Sequence, residues 1–300
     1  MFKDPITTLA SDNSLLKLVA SIPSLQNYKL YSQDTNNTKF PKFADVLKET
    51  KSELQPDWVV KSSFDGSTCE TKINFINTYS HLKPTFIFQH GLLITNHRAN
   101  LDAVISKSFY KDFNIVSIKA AWHQNPVVVV TEALSSFRNS MLMLASSVHA
   151  IEEVCKFHKK ISKQKLIVCG TSMGGITATN HFFYYNTADS YFPIVAYPNF
   201  ARLILSPKYN SLFYDFKQMA DNSSYLTCMD ISDSQIQKAN KAKIFPILGT
   251  LDETVPFADA KAFWEKFLIQ EYPAGHFDIV KYAKSIRQYI LDTTNDSFKT

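Results

Sequence analysis

The stretch KLIVCGTSMGGITATN, residues 165–180, decides the fold. A short apolar run, typical of a buried strand, leads into a turn with three of the chain's seven glycines, and a segment with helical character follows. The turn, Gly170-Thr171-Ser172-Met173-Gly174, matches the pattern G-x-S-x-G. The pattern favours Ser172 as a nucleophile, with an ordinary polar turn residue as the alternative.

The position of Ser172 has a geometric reason. A hydroxyl at the apex of a sharp strand–helix turn requires strained backbone dihedrals, and Gly170 and Gly174 would leave room for the strand and the helix to approach each other. Because most connections in this chain are made without glycine, its use here indicates a requirement. The N-terminus of the following helix would also favour developing negative charge at Ser172.

Strands and helices alternate around this turn. The alternation predicts a mostly parallel sheet with helices on both faces, and the period-two pattern around Gly66 predicts an antiparallel hairpin at its start. The predicted strands are PTFIFQHG (84–91), FNIVSIKAAWH (113–123), KLIVCG (165–170), YFPIVAYPN (191–199), KIFPILG (243–249) and FLIQEYPAGH (267–276). The predicted helices are NHRANLDAVISKSFY (96–110) with Asn96 as its cap, the apolar stripe from Leu134 to Cys155, GGITATNHFFYY (174–185), FADAKAFWEKF (257–267) and the segment from Ile279 to Ile290.

Composition divides the chain into a long domain and a polar N-terminal region. Residues 1–55 are rich in Asn, Lys and Ser, include a short helical pattern at SLLKLVASI (14–22), and are predicted to form an extension packed on the core. Residues 56–300 carry the strand–helix alternation. Within them, 200–242 are aromatic and polar without clear periodicity, and this segment is a candidate cap or lid insertion.

The strand–turn–helix with its G-x-S-x-G motif resembles the α/β-hydrolase family, over roughly residues 56–300. The resemblance implies an α/β-hydrolase fold and a catalytic triad in the order nucleophile, acid, histidine. Asp252, after the strand IFPILG, is the expected acid, and the adjacent Glu253 is the alternative. His276 follows the last predicted strand and is the expected general base towards Ser172.

Asp230 and Asp233 suit the role of the acid less well, because they lie in the irregular segment. His123 ends another predicted strand and is expected near the rim of the pocket, without a catalytic role.

The resemblance also implies an oxyanion hole made of two backbone N–H groups. One comes from Met173, the residue after the nucleophile, and the other from Leu92. His90-Gly91 resembles the family's His-Gly oxyanion motif, and the His90 ring is expected to brace the loop.

The function implied is that of a serine hydrolase that cleaves a carboxylic ester through an acyl-enzyme on Ser172. The Phe and Tyr residues of HFFYYN (181–186) and of 200–242 suggest an apolar or lipid acyl group, with aromatic packing as the alternative. An acyl-thioesterase, an acyltransferase or a peptide hydrolase would use the same triad. A non-catalytic binding protein with this fold is the alternative from another class.

Other function classes are disfavoured. The formal charge of +5 is spread along the chain, which argues against a nucleic-acid partner. The four cysteines are far apart and no HExxH motif occurs, so neither a metal site nor a cofactor is predicted. No apolar run reaches about 18 residues, and the first residues do not resemble a secretory signal. A cytoplasmic protein is expected. Signal-independent export, peripheral membrane contact and oligomeric state stay open.

Overall fold

The computed structural model describes Leu25 and residues 28–34, 40–205 and 211–296. The predicted helix at 14–22 lies outside these residues. Nine strands are present in the described part of the chain. They are Lys51–Leu54 (β1), Val59–Phe64 (β2), Ser67–Phe75 (β3), Thr85–Gln89 (β4), Asn114–Lys119 (β5), Leu166–Thr171 (β6), Ser190–Ile194 (β7), Ile247–Gly249 (β8) and Gln270–Tyr272 (β9).

The nine strands form one sheet in the order β1-β2-β3-β5-β4-β6-β7-β8-β9. Strands β4 to β9 pair in parallel, and the β2–β3 hairpin predicted around Gly66 joins them through an antiparallel contact between β3 and β5. The predicted α/β fold with a mostly parallel sheet is confirmed. The sheet begins at Lys51, five residues before the start predicted for the main domain.

Ten α-helices of five or more residues occur in the same described ranges. They are Phe43–Glu49 (α1), His97–Ile105 (α2), Phe137–Ile161 (α3), Met173–Tyr184 (α4), Phe200–Ile204 (α5), Phe216–Asp221 (α6), Ser223–Thr227 (α7), Asp233–Lys238 (α8), Phe257–Trp264 (α9) and Ala283–Asp296 (α10). The other helical segments are the short α-helical turn Pro126–Val128, the π-helical turn Val129–Ala133 and the 3₁₀ segments Ser32–Asp34, Lys107–Lys111, Lys241–Lys243 and Asp278–Tyr282.

Two helix starts illustrate how the sequence sets the elements. The side chain of Asn96 accepts a hydrogen bond from the Ala99 N–H, so it caps α2 as predicted. The side chain of Ser136 accepts from the Asn139 N–H and caps α3. The apolar stripe predicted this helix from Leu134, but the Ser136 cap starts it at Phe137 because the preceding residues form the π-helical turn.

The strands alternate their side chains between two cores. In β4, Ile87 faces the core that contains α3 and α4, whereas Phe86 and Phe88 face the core that contains α2 and α10. All five residues of this strand are buried. Both faces of the sheet are therefore covered by helices, as the continuous apolar strands predict.

The N-terminal residues contact the 200–242 insertion. Leu30 exchanges backbone hydrogen bonds with the insertion, donating to the Leu212 carbonyl and accepting from the Tyr214 N–H. Asp34, only 7% exposed, accepts hydrogen bonds from the Phe137 N–H at 2.6 Å and from the Tyr225 hydroxyl at 2.8 Å. One carboxylate therefore joins the N-terminal region, the start of α3 and the insertion.

No single helix in the described ranges is both long and apolar enough to cross a membrane. The segments 126–133 and 137–161 pass that test of length and composition only as a pair, and they are bent by 112° relative to each other.

The Asp34 carboxylate provides a test of this packing. We expect Asp34→Ala to lower the free energy of unfolding by about 2–3 kcal/mol, because it leaves the buried Phe137 amide without its charged acceptor. Tyr225→Phe removes only one donor and should cost about 1 kcal/mol. Urea denaturation followed by circular dichroism measures both values. Wild-type midpoints in both variants would contradict this account of the packing.

Candidate active site

The turn between β6 and α4 holds Ser172 in a strained conformation. Its φ is +53°, in the left-handed region that non-glycine residues rarely adopt. The Ser172 N–H donates to the Ile194 carbonyl on β7, and the Ser172 carbonyl accepts from the Ile176 N–H in the first turn of α4. The neighbouring strand and the helix thus hold the strained turn, and the hydroxyl lies at its apex.

The two flanking glycines are required by close backbone approach. A Cβ at Gly170 would lie 2.3 Å from the Gly174 carbonyl atoms, and a Cβ at Gly174 would lie 2.1 Å from the Gln89 carbonyl oxygen on β4. Both distances are far below a van der Waals contact. Any larger residue would push the helix away from the strands, which is the constraint predicted from the motif.

Three predicted residues from separate strand ends meet at this turn. The Ser172 hydroxyl lies 2.9 Å from His276 Nε2, and His276 Nδ1 lies 2.8 Å from Asp252 Oδ2. His276 and Asp252 are 6% and 5% exposed, so their contact is shielded from water. In the tautomer that satisfies both contacts, Nδ1–H donates to the carboxylate and Nε2 accepts from the serine hydroxyl.

The Asp252 carboxylate is itself held by the chain that follows it. Its Oδ1 accepts hydrogen bonds from the Thr254 and Val255 N–H groups, at 2.9 and 2.8 Å. Oδ2 is thereby directed at His276. The alternative acid Glu253 is exposed, and Asp230 hydrogen-bonds Arg202 on the insertion. The arrangement favours Asp252 as the partner of the histidine.

The two predicted oxyanion donors lie beside Ser172. Met173 is the first residue of α4, where backbone N–H groups have no partner within the helix. Gly91 packs so close to Ser172 that a Cβ on it would be 3.4 Å from the Ser172 Cβ. Within the described part of the chain, neither the Met173 amide nor the Leu92 amide donates a hydrogen bond.

The His90 ring connects the loop after β4 to the end of β5. Nδ1–H donates to the Gly91 carbonyl at 2.8 Å, and Nε2 accepts from the Ala120 N–H at 3.1 Å. Complete burial, together with the nearby His123, holds the pKa of His90 well below its ordinary value, so the ring is neutral. A neutral ring with these two contacts matches the bracing role predicted for it.

His123 is not at the rim of a pocket, contrary to the expectation from the sequence. It is fully buried, its ring centroid lies 4.7 Å from that of His90, and its Nδ1–H donates to the Ala121 carbonyl. Burial lowers the pKa of His123 to about 4. The chain turns at Trp122, with φ +61°, and the next residue points inward, beside His90 in the loop after β4.

Several of the aromatic residues that suggested an apolar substrate pack against other rings, whereas Tyr214 of the insertion is 61% exposed. Phe182 contacts Tyr191 at 5.2 Å between ring centroids, and Phe183 contacts Phe263 at 6.1 Å. In the insertion, Tyr225 packs on Phe137 at 4.9 Å. Aromatic packing, the alternative in the sequence analysis, accounts for these side chains. The assignment of 200–242 as a cap over the site stays a prediction.

Some features of the site gave no signal in the sequence. Leu93, Trp122 and Val195 all have positive φ. They follow β4, β5 and β7, respectively; β4 and β7 lie directly beside β6 in the sheet, and β5 lies on the other side of β4. None is a glycine or an asparagine, the residue types that indicate such a conformation. The Thr254 and Val255 amides that donate to Asp252 also could not be predicted, because any non-proline residue can supply a backbone N–H.

Comparison with solved structures identifies the fold. An acetyl xylan esterase from Thermoanaerobacterium sp. JW/SL YS485 matches with a TM-score of 0.56 and 13% identity, over 89% of this chain and 99% of that chain. Est1E from Butyrivibrio proteoclasticus, with ferulic acid bound, matches with a TM-score of 0.55 and 12% identity, over 78% and 99%. An acetyl xylan esterase from Paenibacillus sp. R4 matches with a TM-score of 0.53 and 14% identity, over 91% and 99%.

The chain has the α/β-hydrolase fold. This conclusion agrees with the nine-stranded sheet and with the strand–turn–helix at Ser172. No protein-family model matches the sequence, and a search of curated proteins finds no match. At 12–14% identity, the structural similarity shows the α/β-hydrolase fold and leaves the activity to be argued from the site.

The buried His123 predicts loss of stability in acid. Between pH 6.5 and 4 the unfolded chain takes up a proton on His123 that the folded protein does not, so the free energy of unfolding should fall as the pH drops through this window. The loss of stability that is due to His123 reaches about 3 kcal/mol at pH 4 and vanishes above pH 6.5. Urea denaturation at several pH values measures it. In His123→Gln the free energy of unfolding should fall less over the same pH range. An equal fall in the variant and the wild type would show that His123 is not its cause.

Proposed function

We propose that this α/β-hydrolase-fold protein is a serine hydrolase that cleaves a carboxylic ester. The observation that carries the proposal is the chain of contacts from the Ser172 hydroxyl to His276 and from His276 to Asp252, at 2.9 and 2.8 Å. A hydroxyl is a weak nucleophile, and an adjacent imidazole oriented by a carboxylate is the arrangement that activates it.

In the proposed reaction, the Ser172 oxygen attacks the acyl carbon as its proton passes to His276 Nε2. Asp252 accepts from Nδ1–H and stabilises the imidazolium. The imidazolium then gives its proton to the departing alcohol, which leaves the acyl group on Ser172. Water attacks this acyl-enzyme and loses a proton to His276, which returns it to Ser172 as the acid departs.

The Met173 and Leu92 amides are proposed to donate to the oxyanion of each tetrahedral intermediate. Removing one such donor from an oxyanion hole typically costs about 3 kcal/mol of transition-state stabilisation. Because backbone amides donate, the side chains of these two residues would shape the space around the acyl group. The His90 ring supports the role by fixing the Gly91 carbonyl, so that the following amide can face Ser172.

An ester is preferred over other acyl substrates because the three solved structures named above are acetyl xylan esterases and an enzyme with ferulic acid bound. Thioester or amide hydrolysis and acyl transfer would use the same residues and are outcomes that the substrate tests distinguish. The partner is then a small-molecule ester. A lipid ester has less support than the sequence suggested, since Phe182 and Phe183, two of the aromatic residues in question, pack against other rings.

Covalent labelling tests the nucleophile. We expect a fluorophosphonate probe to label the wild type at Ser172, and Ser172→Ala to lose both the label and activity on p-nitrophenyl acetate, by at least about 1,000-fold. Ser108→Ala replaces an exposed serine away from the site and should behave as the wild type. A folded wild type that neither labels nor cleaves activated esters would favour a non-catalytic binding protein.

A panel of p-nitrophenyl esters from acetyl to palmitoyl tests the acyl group. We expect kcat/KM to be highest for short chains, because several of the aromatic side chains that could bind a long chain, such as Phe182 and Tyr225, pack against other rings. Matched thioester and anilide substrates should react more slowly than the ester of the same acid. A maximum at long chains would instead support the lipid substrate.

A further inference from the structure

Three potential metal ligands meet in the interior, outside the proposed active site. Glu152 and Cys155 lie one turn apart on α3, and His181 lies on the neighbouring helix α4. One carboxylate oxygen, Cys155 Sγ and His181 Nε2 all lie within 4.8 Å of one another. All three residues are buried, with 6% exposure for Glu152 and none for the other two.

The separations between these atoms are close to those between ligands of one small metal ion. Glu152 Oε2 lies 3.1 Å from His181 Nε2, and Cys155 Sγ lies 3.9 Å from the same nitrogen. For Zn–N and Zn–O distances near 2.0–2.1 Å and Zn–S near 2.3 Å, tetrahedral geometry separates ligand atoms by about 3.3–3.7 Å. A small adjustment of the side chains would therefore accommodate the ion.

A fourth potential ligand atom, a hydroxyl oxygen, lies beside these three. The Thr187 hydroxyl, in the loop after α4, lies 2.6 Å from Glu152 Oε2 and 3.5 Å from His181 Nε2. Thr187 is partly exposed, so the cluster is separated from solvent by little more than this loop. A metal ion or a water molecule could therefore reach the site without opening the core.

The outer contacts of the histidine are those expected of a metal ligand. His181 Nδ1 lies 3.1 Å from the Tyr191 hydroxyl oxygen, which itself accepts from the Ala188 N–H. Ligand histidines usually donate their second ring N–H to such a fixed oxygen, and this contact orients the ring. A neutral imidazole is the form of histidine that coordinates a metal.

We propose that Glu152, Cys155 and His181 bind one Zn²⁺ ion, with the Thr187 hydroxyl or a water molecule as the fourth ligand. A thiol and an imidazole favour zinc over Mg²⁺ or Ca²⁺, which prefer oxygen ligands. Two anionic ligands neutralise the double charge of the ion, which a buried site requires. On binding, the Cys155 thiol loses its proton to solvent, and the His181 ring proton moves from Nε2 to Nδ1, where it faces Tyr191.

The proposed site is structural because of its distance from the nucleophile. His181 is nine residues after Ser172 along α4, which is about 13 Å at 1.5 Å per residue. The ion would join α3 to the far end of the helix that begins at the nucleophile. The sequence analysis predicted no metal site from the scattered cysteines. That expectation overlooked a mixed Glu-Cys-His set, which only the packing of α3 against α4 brings together.

Metal titration of the purified 300-residue chain tests the proposal. Zn²⁺ should bind with a stoichiometry of one and raise the thermal midpoint, and Co²⁺ should give a thiolate charge-transfer band in the near ultraviolet with the visible bands of tetrahedral cobalt. Cys155→Ser should abolish the charge-transfer band and weaken Zn²⁺ binding by at least about 100-fold. Cys69→Ser is the matched control, since it removes another buried thiol with a similarly raised pKa, and it should retain both properties.

Two results would overturn the zinc site. One is a wild type in which Co²⁺ gives no thiolate band, which would leave Glu152–His181 as a hydrogen-bonded pair without a metal. The other is Zn²⁺ binding that is equal in the wild type and in Cys155→Ser. If Cys155→Ser does not fold, His181→Gln takes its place, and it must shift the cobalt spectrum away from that of the wild type.

Discussion

The close approach of Gly174 to the Gln89 carbonyl is the constraint on which the site depends. With no Cβ at this point, α4 can begin directly against the end of β4. The same approach places the loop after β4 beside Ser172, where a Cβ on Gly91 would lie 3.4 Å from the Ser172 Cβ. One backbone contact therefore positions both the proposed nucleophile and the loop proposed to bind the oxyanion.

The loop after β4 then needs support, because it contains the non-glycine Leu93 at φ +64°. That support comes from the His90 ring, which contacts a carbonyl in the loop and an amide at the end of β5. Below it, His123 fills the space at the ends of the strands. Two neutral, buried imidazoles thus stabilise a strained loop, and the cost of protonating them couples its stability to pH.

Much of the fold could be predicted because the signals are local. Buried strands are continuous apolar runs, α3 has a regular stripe, and the glycines at 170 and 174 mark the sharp turn. The order of Ser172, Asp252 and His276 could be read from the strands that precede them, and the structure brings all three side chains together.

The features that could not be predicted depend on contacts between distant segments. The inward turn of His123 follows from a positive φ at Trp122, a residue with no preference for it. Asp34 contacts Phe137, which lies 103 positions further along the chain, and Tyr225, which lies 191 positions further along. The grouping of Glu152 with His181 arises only once two helices pack, because the spacing of 29 residues matches no local motif.

Helix α4 connects the proposed active site to the cluster of Glu152, Cys155 and His181. Its first residue follows Ser172, and its ninth, His181, is hydrogen-bonded to Glu152 on α3. The helix is buried from Met173 to Phe182, so it can shift only if both neighbouring layers shift with it. Because a Cβ at Gly174 would overlap the Gln89 carbonyl on β4, the start of the helix has little room to move, and fixing its far end should limit the tilt that would open the turn at Ser172. We therefore expect the Glu152–His181 contact, with or without a metal ion, to help hold α4 and the turn at Ser172 in place.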